Sequence, residues 1–166
     1  MIFRIASALL FFGTGPAIAE LATVAPPAHA SLLFDAQADG VQIYACETAD
    51  MGPEWVFKAP EASLFDAEGR QIGTHFAGPS WKLADGSEVT AAPVEKLDAP
   101  VSGAIPWLLL EVKTKRGSGR FAAVATIRRA NTKGGAAPTT GCDASHVGEQ
   151  VRMRYSATYQ FFGSAK

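Results

Sequence analysis

Residues 73–87, GTHFAGPSWKLADGS, gather a histidine, a tryptophan, an aspartate and two serines between glycine and proline turns. An imidazole at His75 titrates near neutral pH and can act as acid, base or ligand. Trp81 carries a large apolar face with a single N–H donor, which suits either a core or a sugar-binding platform. Asp85 adds a carboxylate, and His75, Trp81 and Asp85 are the ligand-binding candidates. A nucleophilic triad would need Ser80 or Ser87 brought against His75 and an orienting acid. Neither serine sits in a Gly-x-Ser-x-Gly turn, and Asp85-Gly86-Ser87 is accounted for by turn chemistry, with the aspartate bonding to backbone and the glycine supplying the reversal. No catalytic residue is assigned.

Other chemistries find still less support. A catalytic zinc-type centre takes about three protein ligands, and within the expected domain only His146 joins His75. Asp143 stands close to His146, but in a loop, where spacing fixes no common face. No metal site and no cofactor is expected. The acidic residues of the first half form no recognisable pair for glycoside hydrolysis. Thr132-Lys133-Gly134-Gly135 lacks the spacing of a phosphate-binding loop and opens no helix. Trp107, inside IPWLLL, is expected in the core.

The elements that must position these side chains read as strands. Residues 151–161 alternate Val151, Met153, Tyr155, Ala157, Tyr159 and Phe161 with polar partners, the signature of a wall with one buried face. Residues 121–130 are rich in β-formers, and residues 107–114 set Leu108, Leu110 and Val112 against Glu111 and Lys113. Earlier, Asp39-Gly40, Glu68-Gly69 and Asp85-Gly86-Ser87 each separate two such runs and predict three hairpins. Residues 55–59 add a strand ended by Pro60. In residues 70–76, the alternation puts His75 with Gln71 and Gly73, away from Ile72 and Phe76, and so off the core. Trp81, just after Gly78-Pro79, is expected to be partly exposed. No segment beyond the first residues keeps a 3.6-residue apolar stripe, so the class is all-β: an antiparallel sandwich or barrel of roughly nine to ten strands. Residues 132–150 form a long polar connection.

Residues 5–12 are an apolar run behind Arg4, and Ala17-Ile18-Ala19 offers small residues for a signal peptidase. Residues 1–19 therefore read as a signal peptide, 20–30 as a flexible lead-in and 31–163 as a single β domain. The run is too short to span a bilayer, so no membrane-spanning segment is expected in the mature chain. Export to the periplasm or the exterior makes a bridge between Cys46 and Cys142, the two cysteines, the expectation. Closing a loop of about 100 residues is worth roughly 4–5 kcal/mol in the loop-entropy treatment. The formal charge is −1 but unevenly placed: four basic against fourteen acidic residues over 20–112, then ten basic against two acidic. Strands from the two halves lying side by side would neutralise each other. The sharper alternative is a basic face around Arg116, Arg120, Arg128, Arg129, Arg152 and Arg154 that attracts an anion or docks an acidic protein surface. Nucleic acid is not an expected partner, given the overall charge and compartment.

VQIYAC, APEASLFDAEGRQIGTHFAGPSW, AIPWLLLEVK, GSGRFAAVATIRRANTKGGAAPTTGCD and YSATYQFF resemble the domain-of-unknown-function family 3455, over about residues 31–162. The resemblance implies an exported protein and supplies no mechanism. With a β-scaffold, one bridge and no complete catalytic set, the leading reading is an exported noncatalytic domain that binds a small molecule, glycan or protein partner near His75 and Trp81. The alternative is a hydrolase or metal-assisted enzyme using His75 with nearby carboxylates.

Overall fold

Among residues 24–164, which the computed structural model describes, eight antiparallel strands run up and down around a closed barrel. They are β1 (Leu32–Ala49), β2 (Gly52–Phe65), β3 (Gln71–Phe76), β4 (Ser80–Leu83), β5 (Glu88–Leu97), β6 (Trp107–Arg116), β7 (Val124–Gly134) and β8 (Gln150–Gly163). Each pairs with the next, and β8 returns to β1 from Leu32↔Phe162 to Ala45↔Gln150. Closure leaves no edge strand open to another chain. The expected signal peptide and the first residues of the lead-in lie outside the described residues. Within the rest of that lead-in, Val24 is fully buried.

Eight strands replace the nine to ten expected, because two apparent breaks are not breaks. Asp39-Gly40 lies in the middle of β1, where Gly40 pairs with Ala62 on one side and Tyr155 on the other. A Cβ there would stand 2.1 Å from the Glu61 carbonyl oxygen. The glycine permits a close approach of strands rather than a reversal of the chain, and an Asp-Gly pair reads the same in both uses. Pro60 likewise sits inside β2: opposite Gln42 it pairs with β1, while β3 begins its pairing only at Ala62. A proline is tolerated where one side of a strand is unpaired. Glu68-Gly69 and Asp85-Gly86-Ser87 do reverse the chain, with φ of 77° at Gly69 and 84° at Gly86.

The period-two reading of the last strand holds, with Tyr155, Ala157, Tyr159 and Phe161 all buried. Opposite them β1 supplies small residues: Ala36 faces Tyr159, Ala38 faces Ala157 and Gly40 faces Tyr155. The rings thus have room inside the wall, and burying each one stabilises the fold by about 1.5–3 kcal/mol. Residues 121–123, expected to start a strand, instead belong to a short 3-10 helix, Arg120–Ala123. It stoppers one end of the barrel with fully buried Phe121, whose ring centroid lies 5.0 Å from that of Phe161 and 5.8 Å from that of Phe34. Trp107, expected in the core, is only half-buried. Leu108 and Leu110 take the inward positions beside it.

The opposite end carries the long connection, shortened to residues 135–149 because β7 runs on to Gly134. The Cys46–Cys142 disulfide is present, with Cα atoms 5.4 Å apart, and clips this loop to β1. Trp55 Nε1 donates to the Thr140 carbonyl at 2.9 Å, while Cys46 N–H donates to Glu149 and Gly148 N–H to Cys46.

The uneven charge resolves across the wall. Arg152 pairs with Glu61, and Arg154 lies 3.7 Å from Asp39, so acids of the first half meet bases of the second. The arginines do not form one basic face: Arg120 covers the Phe34 ring at the stoppered end, and Arg129 turns into the barrel. No helix among the described residues is long and apolar enough to cross a membrane.

Candidate functional site

The barrel is filled at the Phe121 end and hollow at the other. A cavity of about 520 Å³ lies at the end formed by Gly78-Pro79 and Ile105-Pro106, and every strand contributes to its wall. That size is within the range of sites for drug-sized molecules, and an eight-stranded barrel is just wide enough either to fill with side chains or to hold one small ligand.

His75 and Trp81 meet here. They are directly opposite on β3 and β4, with ring centroids 4.4 Å apart and planes 12° from parallel. Both were expected nearer the surface, and both are buried, at 2% and 1% exposure. In β3 the expected alternation fails: Ile72 packs against the core and Gln71 is exposed, as expected, but His75 is buried too, the register with β2 shifting between Leu64 and Phe65. Tyr159 closes the corner edge-on, its ring centroid 5.0 Å from that of His75 and 5.4 Å from that of Trp81.

The His75 hydrogen bond defines its state. Nδ1 is 2.8 Å from the Ser80 carbonyl oxygen; a carbonyl only accepts, so Nδ1 carries the proton and Nε2 is left as an acceptor. Burial drives the His75 pKa down to about 3, the Ser80 carbonyl opposes this, and the Arg129 charge adds to it. The ring is therefore neutral across the physiological range. The Ser80 hydroxyl is engaged with the Thr90 hydroxyl at 3.0 Å.

Around these rings stands a set of polar groups. Tyr44 donates to the Gly135 carbonyl at 2.7 Å. Trp81 Nε1 is buried without a hydrogen-bond partner, while Gln42, Tyr155 and Tyr159, also buried there, interact with one another through the Tyr155 phenol. The Tyr155 phenol is pushed well above the usual tyrosine range, chiefly by burial and secondarily by Tyr159. Arg129, opposite Tyr159 in the β7–β8 register, spends its Nε on the Pro106 carbonyl at 3.0 Å. A buried orphan such as Trp81 Nε1 costs about 1–3 kcal/mol unless something satisfies it.

Asp85 is not part of this site. It lies in the β4–β5 turn at the stoppered end, where its Oδ1 accepts from the Ser87 amide at 2.8 Å and the Ser87 hydroxyl at 2.6 Å. Its Oδ2 accepts from the Arg120 amide at 2.8 Å, and the Ser87 hydroxyl in turn receives the Phe121 amide at 3.3 Å. These bonds, led by that from the Ser87 hydroxyl, hold the carboxyl below its ordinary range. Asp85 anchors the 3-10 stopper. A Cβ at Gly119 would stand 2.2 Å from its Oδ2, so glycine is required at that contact.

One serine, histidine and aspartate do converge elsewhere, on the exposed loop of residues 143–146. Asp143 Oδ1 accepts from the Ser145 hydroxyl at 2.6 Å and lies 2.8 Å from His146 Nδ1. The Ser145 hydroxyl is 3.1 Å from that same Nδ1. In a working triad the serine meets one ring nitrogen and the acid the other; here both crowd one nitrogen, which is a loop-bracing arrangement. Asp143 is held down at about 2, first by the Ser145 hydroxyl and then by His146, whose own pKa is raised in return. No group of three or more His, Cys, Asp or Glu among the described residues is placed to hold a metal ion.

Gln42, Tyr44 and Tyr159 were not singled out as site residues from the sequence, and Arg129 was named there only as one of six arginines in the basic-face alternative. For Arg129 a signal existed: two residues from Ile127 on one strand, it shares that residue's inward face. For Gln42 and Tyr44 there was none, because residues 42–46 are buried on both faces and the alternation carries no direction.

A closed up-and-down barrel, stoppered at one end and hollow at the other, defines the class of small eight-stranded β-barrels with an internal cavity. A family model described as "Protein of unknown function (DUF3455)" matches residues 26–163, and the chain belongs to that family. No match was found among the curated proteins.

Proposed function

We propose that this chain is an exported, noncatalytic barrel that binds a small molecule inside the cavity walled by His75, Trp81 and Tyr159. The observation that carries this reading is the cavity itself: a hollow of about 520 Å³ lined by aromatic rings and by a buried indole N–H that lacks a partner. A glycan platform fits less well than an enclosed small molecule, because one Trp81 face is covered by the His75 ring and the indole is fully buried. The disulfide suits an oxidising compartment, in keeping with residues 1–19 serving as a signal peptide. The hydrolase reading needs an acid beside His75, and among the described residues no Asp or Glu lines the cavity.

The test is a thermal-shift screen of apolar and aromatic metabolites on the wild type and on Leu108→Trp, which pushes a larger ring into the hollow from its wall. Ligand at 100 times Kd should stabilise the wild type by about 2.7 kcal/mol and leave Leu108→Trp unmoved. Equal stabilisation of both proteins would place binding elsewhere and end the proposal.

A further inference from the structure

The cavity's charge says what kind of molecule it takes, an inference that rests on its being a ligand site. Its lining holds Lys58, Lys96 and Arg129 and no carboxylate. Lys58 is neutralised by Glu47 at 2.6 Å. Arg129 is half-buried and makes one hydrogen bond, through Nε. Among the described residues no carboxylate approaches its guanidinium within ion-pair distance, and its two terminal nitrogens are unspent. The positive charge reaches the surrounding groups, opposing burial at the Tyr44 and Tyr155 phenols and reinforcing it at His75. Beside it stand Gln42 and Tyr159, each at most 2% exposed and each already in contact with the Tyr155 phenol. An uncompensated cation in a largely apolar hollow is complementary to an anion. A guanidinium with both terminal nitrogens free matches the two oxygens of a carboxylate. The remaining wall, including Phe57, Pro79, Pro93 and Leu108, is apolar.

We infer that the cavity binds an organic monocarboxylate with an apolar body, its carboxylate held by the two free terminal nitrogens of Arg129.

Two pairs of probes matched in shape test this by isothermal titration: 2-naphthoate against 2-naphthamide, and octanoate against octanol. In the wild type at least one acid should bind ten-fold or more tighter than its neutral partner. Arg129→Gln should reduce that preference to about two-fold while the neutral compound binds as before. The wild-type comparison stands even if the variant fails to fold. Acid and neutral partner binding equally to the wild type would overturn the anion inference and leave the cavity reading intact. If none of the four binds while the Leu108→Trp thermal-shift comparison still detects a cavity ligand, the inference falls alone; if that comparison is also blank, both fall.

Discussion

His75 should make this protein acid-sensitive in a way that one substitution removes. Its folded pKa of about 3 lies below the unfolded histidine value of about 6.5. A buried neutral imidazole resists a proton that the unfolded chain accepts. Stability is therefore complete above about pH 6.5, falls as pH drops through the window toward 3, and loses nothing more from this group below it. Between pH 7 and pH 5 the loss works out at about 2 kcal/mol, since each pKa unit of difference is worth about 1.36 kcal/mol once the unfolded state is protonated. Carboxylates titrate in the lower part of the same range, so the measurement is a difference between two proteins. His75→Gln keeps an amide donor for the Ser80 carbonyl and does not titrate. It also forfeits the stack on Trp81, worth about 0.5–1.5 kcal/mol at every pH. Urea unfolding followed by tryptophan fluorescence at pH 7, 6 and 5 should show the variant less stable at pH 7 and the gap shrinking or reversing by about 2 kcal/mol at pH 5. A gap that stays constant to within about 0.5 kcal/mol would mean His75 titrates normally, and the account of a dry, neutral imidazole in the cavity wall would be wrong.

Other perturbations probe the frame. Reducing the Cys46–Cys142 bridge should cost about 2–5 kcal/mol, read as a fall in urea midpoint with dithiothreitol, because the loop it closes spans most of the domain. Asp85→Ala should destabilise by about 1–3 kcal/mol through the orphaned amides of Ser87 and Arg120, while leaving ligand affinity at the opposite end unchanged; a loss of binding without a loss of stability would return Asp85 to the site. Phe121→Ala should cost about 3–5 kcal/mol by unstoppering the barrel, measured in the same way. Gly40→Ala should destabilise by at least about 1–3 kcal/mol, since its new methyl meets the Glu61 carbonyl; a neutral effect would favour a turn at that position.

What the chain's linear order settled was local. Alternation along β8, the reversals at Glu68-Gly69 and Asp85-Gly86-Ser87, and the pairing of the two cysteines follow from side-chain period, turn stereochemistry and compartment, and all are found in the fold. The same local signals misjudged Gly40 and Pro60, because a glycine made necessary by a neighbouring strand and a proline permitted by a missing one look the same in sequence as a turn and a stop. His75, Trp81 and Asp85 stand within one stretch of chain, and only the barrel separates them: an up-and-down wall sends successive turns to opposite ends, so His75 and Trp81 reach the hollow while Asp85 braces the stopper. Tertiary structure alone turned His75 inward and set Arg129, from a strand about fifty residues later, against that pair. A closed barrel has one interior, and which charged side chain it holds without a counter-ion depends on every strand around it.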